Sequence, residues 1–248
     1  MNDIEFEWLY RNFPKHRPTL PTAYQALYLD EYKRNRDNHN STLQFKQKLE
    51  HWMHRQVANA TAPKGALLEI GAGTLNHIRW EDSARPYDIV EPFTSLFEEK
   101  EELSHLRNTY KNIFTVPTDA RYSKILSIAV LEHLADLPQV IAKSALLLSD
   151  NGVMVNGLPS EGGLLWYLAW RLGTGLSFRI RTGLSYTKLM RHEHINNAEE
   201  ILRVLYIFFD DVRYKRFPLP LLHGSFYTFI QACSPRKQRA QQFLGIDL

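Results

Sequence analysis

The sequence predicts an α/β fold with a doubly wound, mostly parallel sheet, on three observations. Short apolar runs alternate with helical stretches from residue 66 onward, the first run ends in a glycine turn (Gly71-Ala72-Gly73), and the second ends in an acid, Glu91. With 248 residues, 44% of them hydrophobic, the chain can bury one sizeable core.

The first strand lies in ALLEIGAGTLNH, Ala66 to His77. Leu67, Leu68 and Ile70 make an apolar run of the kind found in a covered parallel strand. Gly71 and Gly73 let the backbone turn sharply against a ligand, and a helix expected from about Thr74 would aim its free N–H groups there. That pattern is a nucleotide-cofactor site. A dinucleotide fold wants a third glycine where Asn76 stands, and a P-loop wants a lysine after the glycines; neither is present. Glu69, inside the strand, would repel an anionic ligand and suit one bearing an ammonium or sulfonium charge, although it could also pair with a lysine.

The second strand reads from Tyr87 to Val90, and its terminal Glu91 is placed to accept both hydroxyls of a ribose, or else to begin the helix that Pro92 opens. Thr94 to Arg107, with Glu98, Glu99, Glu101 and Glu102, reads as a solvated helix. Asn112 to Val116 is the expected third strand. Asp119 and Ala120, which could equally form a turn, precede a fourth strand at Ile125 to Ile128 that runs into AVLEHL. An apolar helix from Leu137 to Leu148, the turn Ser149-Asp150-Asn151-Gly152, and a strand from Val153 to Val155 follow. Near the end come a helix at Ala198 to Phe209 and strands at Val212 to Phe217 and Ser225 to Ala232, with no helix between them, which favours an antiparallel pair.

From about Pro63 to Pro235 these motifs resemble the class I S-adenosylmethionine-dependent methyltransferases: strand, Glu-x-Gly-x-Gly, an acid for the ribose, an Asp-Ala pair, and a V-L-E-H turn. The resemblance implies a seven-stranded Rossmann-like sheet with an antiparallel last strand, and S-adenosyl-L-methionine as cofactor. It implies Glu69 near the methionine amino group, Gly71, Ala72 and Gly73 under the cofactor, Glu91 on the ribose, and Asp119 and Ala120 beside adenine. Leu75 and Asn76 depart from it, standing where many members carry glycine or a small residue.

Residues 1–61 read as an N-terminal arm and helical extension, and 62–248 as the main domain. Pro14, Pro18 and Pro21 argue against regular structure over the first 21 residues. Thr22 to Ala58 reads as two helical pieces parted near Asn35 to Ser41. Leu43, Phe45, Leu49, Trp52, Met53 and Val57 form a core-facing stripe. His51 and His54 on that helix lack a third ligand at metal-binding spacing, and no metal is expected in the chain.

Residues 157–197 leave the fifth strand and overhang the end of the sheet where ligands bind, so they form a candidate substrate lid. The first half, GGLLWYLAWRLGTGLSF, is apolar on every side of any helix it forms and is expected to be buried, a dimer contact, or dipped into a lipid interface. The second half carries Arg179, Arg181, Lys188, Arg191 and Tyr186, which suits a phosphate-bearing substrate or a solvated basic loop.

Methyl transfer requires an acceptor held in line and relieved of its proton. His194 is the first candidate base and His133 the second, with Glu193 to orient an imidazole or bind a sugar hydroxyl. The lid sequence GLSYTKLMRHEHIN is similar, over a short stretch, to methyltransferases of bacterial surface-polysaccharide synthesis, which implies O-methylation of a sugar, nucleotide-sugar or lipid-linked glycan. Ala-Val-Leu-Glu after the fourth strand is unlike the Asn/Asp-Pro-Pro-Tyr/Phe of base-amino methyltransferases, and a formal net charge of +3 is mild, so nucleic acid is disfavoured. RNA methylation and a non-catalytic S-adenosylmethionine-binding scaffold are the alternatives. One cysteine, an acidic N-terminal stretch and no apolar run long enough to span a bilayer point to the cytoplasm, with peripheral membrane contact left open and no expectation about oligomeric state.

Overall fold

A computed structural model describes residues 3–25, 27 and 43–246. Seven strands form one sheet in the order β3-β2-β1-β4-β5-β7-β6. They are β1 (Leu67–Ile70), β2 (Tyr87–Val90), β3 (Leu106–Tyr110), β4 (Tyr122–Ile128), β5 (Leu148–Pro159), β6 (Phe209–Pro218) and β7 (Ser225–Pro235). β1 lies between β2 and β4, parallel to both, and β7 alone runs antiparallel, between β5 and β6. The doubly wound sheet with an antiparallel last strand is therefore present.

Helices cover both faces. On one side lie α1 (Ile4–Asn12), α3 (Leu137–Leu147), α7 (Ala198–Phe208) and α8 (Lys237–Leu244), packed on Leu68, Ile70, Ile125 and Met154. On the other, α2 (Leu43–Ala58) sets Met53 and Val57 against the sheet. Each such side chain contributes roughly 1.5–3 kcal/mol of burial. Leu49, Met53 and Val57 are buried and Trp52 stacks on Phe217, as the apolar stripe predicts. The side chains of Leu43 and Phe45, and the break expected near Asn35 to Ser41, lie outside the described residues.

Four expectations are corrected. The first residues are not irregular: Asp3 caps α1 by accepting the Glu5 and Phe6 N–H groups, and Phe6 and Tyr10 pack on Phe243. Prolines bounded that segment, but all three lie beyond the helix. No α-helix starts at Thr74; the chain passes through turns to a 3-10 turn at Ile78–Trp80, with Leu75 at φ +61°. Helix N–H groups are thus not what faces the glycine turn. Thr94 to Arg107 is two 3-10 turns, and the third strand is Leu106–Tyr110 rather than Asn112 to Val116. That strand, LRNTY, has no apolar pattern because it is an edge. It is secured by polar contacts: Arg107 donates to both carboxylate oxygens of Asp88, at 2.9 and 2.6 Å. Ile113 and Val116 reach the core from a 3-10 turn that the Asn112 side chain caps.

The 157–197 segment contains three helices, α4 (Leu164–Leu172), α5 (Thr174–Thr182) and α6 (Thr187–Glu193). Trp170 and Phe178 turn inward, whereas Leu172 is 65% and Ile180 78% exposed, so burial accounts for only part of this apolar stretch. Among the described residues, no helix is long and apolar enough to cross a membrane.

Candidate cofactor and acceptor site

The turn after β1 is shaped by packing and by one carboxylate. Gly71 sits at φ +71° and gives its N–H to the Val90 carbonyl at 2.8 Å. A Cβ there would stand 2.5 Å from Val130 Cγ2, so the turn after β4 fits closely against the turn after β1. Gly73 is different: at φ +52°, its Cβ would meet nothing within 4 Å. Its N–H donates to Glu91 Oε2 at 2.8 Å, while Glu91 Oε1 accepts the Phe93 N–H at 3.0 Å. Glu91 is 5% exposed, and each carboxylate oxygen retains a free lone pair. A fixed acid at the tip of β2, beside open space over a glycine, can accept hydrogen bonds from a vicinal diol.

Ala72 is buried. Glu69 is buried too, with its Oε2 accepting the Tyr87 hydroxyl at 2.8 Å. Burial raises its pKa, opposed by the nearby His77 charge and the Tyr87 bond. Beside it a second buried chain ties α2 to the sheet: His54 Nδ1 lies 2.9 Å from His77 Nδ1, His77 Nε2 lies 2.9 Å from Glu81 Oε1, and Lys124 Nζ donates to that same oxygen at 2.5 Å. His54 is therefore a packing residue, stacked on His77 and Trp80. Asp119 is exposed in a turn closed by the Ala120 N–H to the Pro117 carbonyl, and Ala120 leans on the core.

Beyond Val130, the structure brings together residues sixty positions apart. Ala129 leaves β4 at φ +53°, a conformation uncommon for a residue with a side chain, and a 3-10 turn at Leu131–His133 follows. The Glu132 carbonyl accepts the N–H groups of Ile195 and Asn196 at 2.9 and 3.0 Å, and Asn196 Nδ2 donates to the carbonyls of Leu131 and Leu134. This stapling sets the His133 and His194 rings edge to face, with centroids 4.8 Å apart.

Glu193 serves His133 rather than its sequence neighbour His194. His133 Nδ1 is 2.9 Å from the Glu193 carbonyl and 3.4 Å from its Oε2. Burial depresses the His133 pKa, but the Glu193 hydrogen bond and the charges of Glu132 and Glu193 outweigh it, leaving the pKa above the ordinary value. His194 Nδ1 pairs instead with Glu161 Oε2 at 2.8 Å, an acid that also accepts the Trp166 indole N–H, and the indole lies parallel to the His194 ring. Arg17 closes the group by donating to the His133 carbonyl at 2.9 Å.

Sequence reasoning gave no role to Glu132, Glu161, Trp166 or Arg17. Glu132 stands in the V-L-E-H turn and was open to notice; the other three carry no spacing signal. The basic residues of the lid have separate partners: Arg181 lies over Phe178, Lys188 over Tyr24, and Arg191 lines an open surface groove with Lys15, His16 and His194.

No protein-family description matches this sequence, and no curated protein matches it either. Solved structures do. One is a SAM-dependent methyltransferase, a possible histamine N-methyltransferase, from Thermotoga maritima, 13% identical over 84% of this chain and 96% of that one, with a TM-score of 0.57. Another is the N-methyltransferase NodS from Bradyrhizobium japonicum WM9 in complex with S-adenosyl-L-homocysteine, 14% identical over 87% of this chain and 100% of that one, TM-score 0.54. A third is phosphoethanolamine N-methyltransferase 2 from Haemonchus contortus with S-adenosyl-L-methionine, 12% identical over 76% of this chain, which spans about half (52%) of its length, TM-score 0.51. What these proteins share with this chain is its architecture: the chain has the seven-stranded, Rossmann-like methyltransferase fold.

Proposed function

We propose that this protein is an S-adenosyl-L-methionine-dependent methyltransferase acting on a small-molecule or glycan acceptor. The observation that carries the reading is Glu91, held by the Gly73 and Phe93 amides beside the open space over Gly73. Bound there, the cofactor supplies an electrophilic methyl group on a sulfonium. Glu91 orients the ribose diol, with Gly71, Ala72 and Gly73 beneath the cofactor, Glu69 toward its amino acid end, and Asp119 and Ala120 beside adenine.

The acceptor reading is O-methylation of a sugar, nucleotide-sugar or lipid-linked glycan. A hydroxyl must shed its proton as the new O–CH3 bond forms. Glu161 engages His194 Nδ1, which leaves Nε2 to take that proton, while Glu193 orients His133. The open groove beside His194 carries His16 and Arg191, which suit an acceptor that bears phosphate, while Lys15 on its wall is already paired with Glu200 at 2.6 Å. The exposed Leu164, Leu168, Leu172, Leu176 and Ile180, flanked by Arg171 and Arg179, favour a lipid-linked acceptor met at an anionic membrane surface.

Calorimetry with S-adenosyl-L-methionine tests the donor half: binding is expected, and its absence would defeat the proposal. Formation of S-adenosylhomocysteine with saccharide acceptors, and none with RNA, is expected for the acceptor half. Donor binding with no turnover on any acceptor would favour the scaffold alternative.

A further inference from the structure

The group around His133 contains a carboxylate that methyl transfer leaves without an explanation. Glu132 is 1% exposed, and neither of its carboxylate oxygens has a hydrogen-bond partner among the described residues. Burying an acid without hydrogen bonds costs several kcal/mol, and the His133 ring, too far for a hydrogen bond, offsets only part of it. His133 Nε2 stands 3.8 Å from Glu132 Oε1, and one ligand atom each from Glu132, His133 and His194 lie within 4.8 Å of one another.

The imidazoles are already oriented for a ligand. His133 Nδ1 faces the Glu193 carbonyl and His194 Nδ1 faces the Glu161 carboxylate. Both partners are acceptors, so each Nδ1 is the ring's donor and each Nε2 is the nitrogen left for a ligand. A carbonyl or carboxylate behind an imidazole is the arrangement that orients histidines on a metal ion. The hydrogen bonds from Ile195 and Asn196 to the Glu132 carbonyl hold the two segments in place before any ion arrives. Metal–ligand bonds of about 2.1 Å need donor atoms roughly 3–3.5 Å apart, so small side-chain rotations close the triad.

We infer that Glu132, His133 and His194 form a site for a divalent first-row transition cation, in place of the expectation that the chain holds no metal. Two imidazole nitrogens and one carboxylate oxygen suit Zn²⁺ or Mn²⁺ and leave coordination positions open, whereas Mg²⁺ and Ca²⁺ favour all-oxygen sites. The inference revises one part of the proposed chemistry: with a cation bound, His194 would be a ligand rather than the base, and the cation would lower the pKa of an acceptor hydroxyl at an open position, whose proton would pass to solvent. It does not depend on which donor fills the cleft.

The test is a titration of the chelator-treated protein with Zn²⁺ by calorimetry and with Co²⁺ by visible absorption, without donor or acceptor. One equivalent is expected to bind, with cobalt d–d bands of mixed nitrogen and oxygen ligation. Glu132→Gln and His194→Ala should abolish binding, Glu161→Gln should weaken it about 10–100-fold, and His105→Ala, on the exposed far side of the sheet edge, should leave it unchanged. Should Glu132→Gln fail to fold by circular dichroism, Glu161→Gln decides the matter from outside the ligand set. No binding by the wild type, or binding that neither Glu132→Gln nor Glu161→Gln weakens, overturns the inference. Because S-adenosyl-L-methionine is titrated separately, loss of the metal site and loss of the donor site are told apart.

Discussion

Gly71 and Val130 are fitted to each other so closely that a single added methyl at Gly71 would stand 2.5 Å from Val130 Cγ2. Through that contact the turn after β1 and the histidine-bearing turn after β4 are one packed unit. The two glycines of the turn consequently have different duties, and substitutions separate them.

Gly71→Ala is expected to destabilise the protein by about 1–3 kcal/mol through overpacking, with a further penalty for alanine at φ +71°. Val130→Ala in the same chain should recover the steric share and leave the backbone share. Urea unfolding of the two single variants and the double variant measures both. Equal stability of Gly71→Ala and wild type would mean that the contact does not constrain the turn.

Gly73→Ala meets open space, so only backbone strain at φ +52°, about 1 kcal/mol, should appear in unfolding. On the proposed donor site over Gly73, the effect should fall on S-adenosyl-L-methionine binding, because the new methyl would project into that open space. Calorimetry should show weakened binding by a protein that is still folded; undiminished affinity would put the donor elsewhere.

Glu91→Gln retains the shape of the side chain but loses its charge and one of its two amide partners. Hydrogen bonds to a charged group are worth roughly 1.5–3 kcal/mol, so donor affinity should fall about 10–100-fold. A change of less than twofold would remove Glu91 from the ribose.

His54 gives the fold a pH dependence. Burial, together with the positive charges of His77, Arg79 and His51, pushes its pKa down to about 3. The unfolded chain therefore takes up a proton near pH 6.5 that the folded chain refuses. Stability from this group is complete above that pH and declines as the pH falls toward 3, by at most about 1.4 kcal/mol per pH unit. His54→Phe, which retains a ring against Trp80, should flatten the slope measured by urea unfolding between pH 6.5 and 4.5. An unchanged slope would assign the dependence to other groups.

Leu172→Glu and Ile180→Glu add charge where side chains are already exposed, so folding should be unaffected. If α4 and α5 meet lipid, both variants should lose co-sedimentation with vesicles rich in anionic phosphatidylserine, while the wild type pellets with them. Failure of the wild type to bind such vesicles would end the membrane reading.

Local chemistry was enough to read β1, β2, the glycine turn, Glu91 and the closing antiparallel pair from residue order. Strand periodicity and turn glycines act over a handful of neighbours, and each of these features is that short. β3 escaped notice because an edge strand stabilised by Arg107 and Asp88 needs no apolar pattern. α1 escaped because the surface it packs on, around Phe243, lies at the other end of the chain.

The sequence by itself determined that this chain folds as a doubly wound sheet with a glycine turn and an acid at adjoining strand tips. Only the tertiary structure decided that His194 belongs with Glu161, Glu193 with His133, and that Glu132 lies buried beside His133. Those partnerships depend on backbone hydrogen bonds from Ile195 and Asn196 to Glu132, across some sixty residues. No local propensity encodes a contact of that span; it exists because the packed sheet holds the two segments in register.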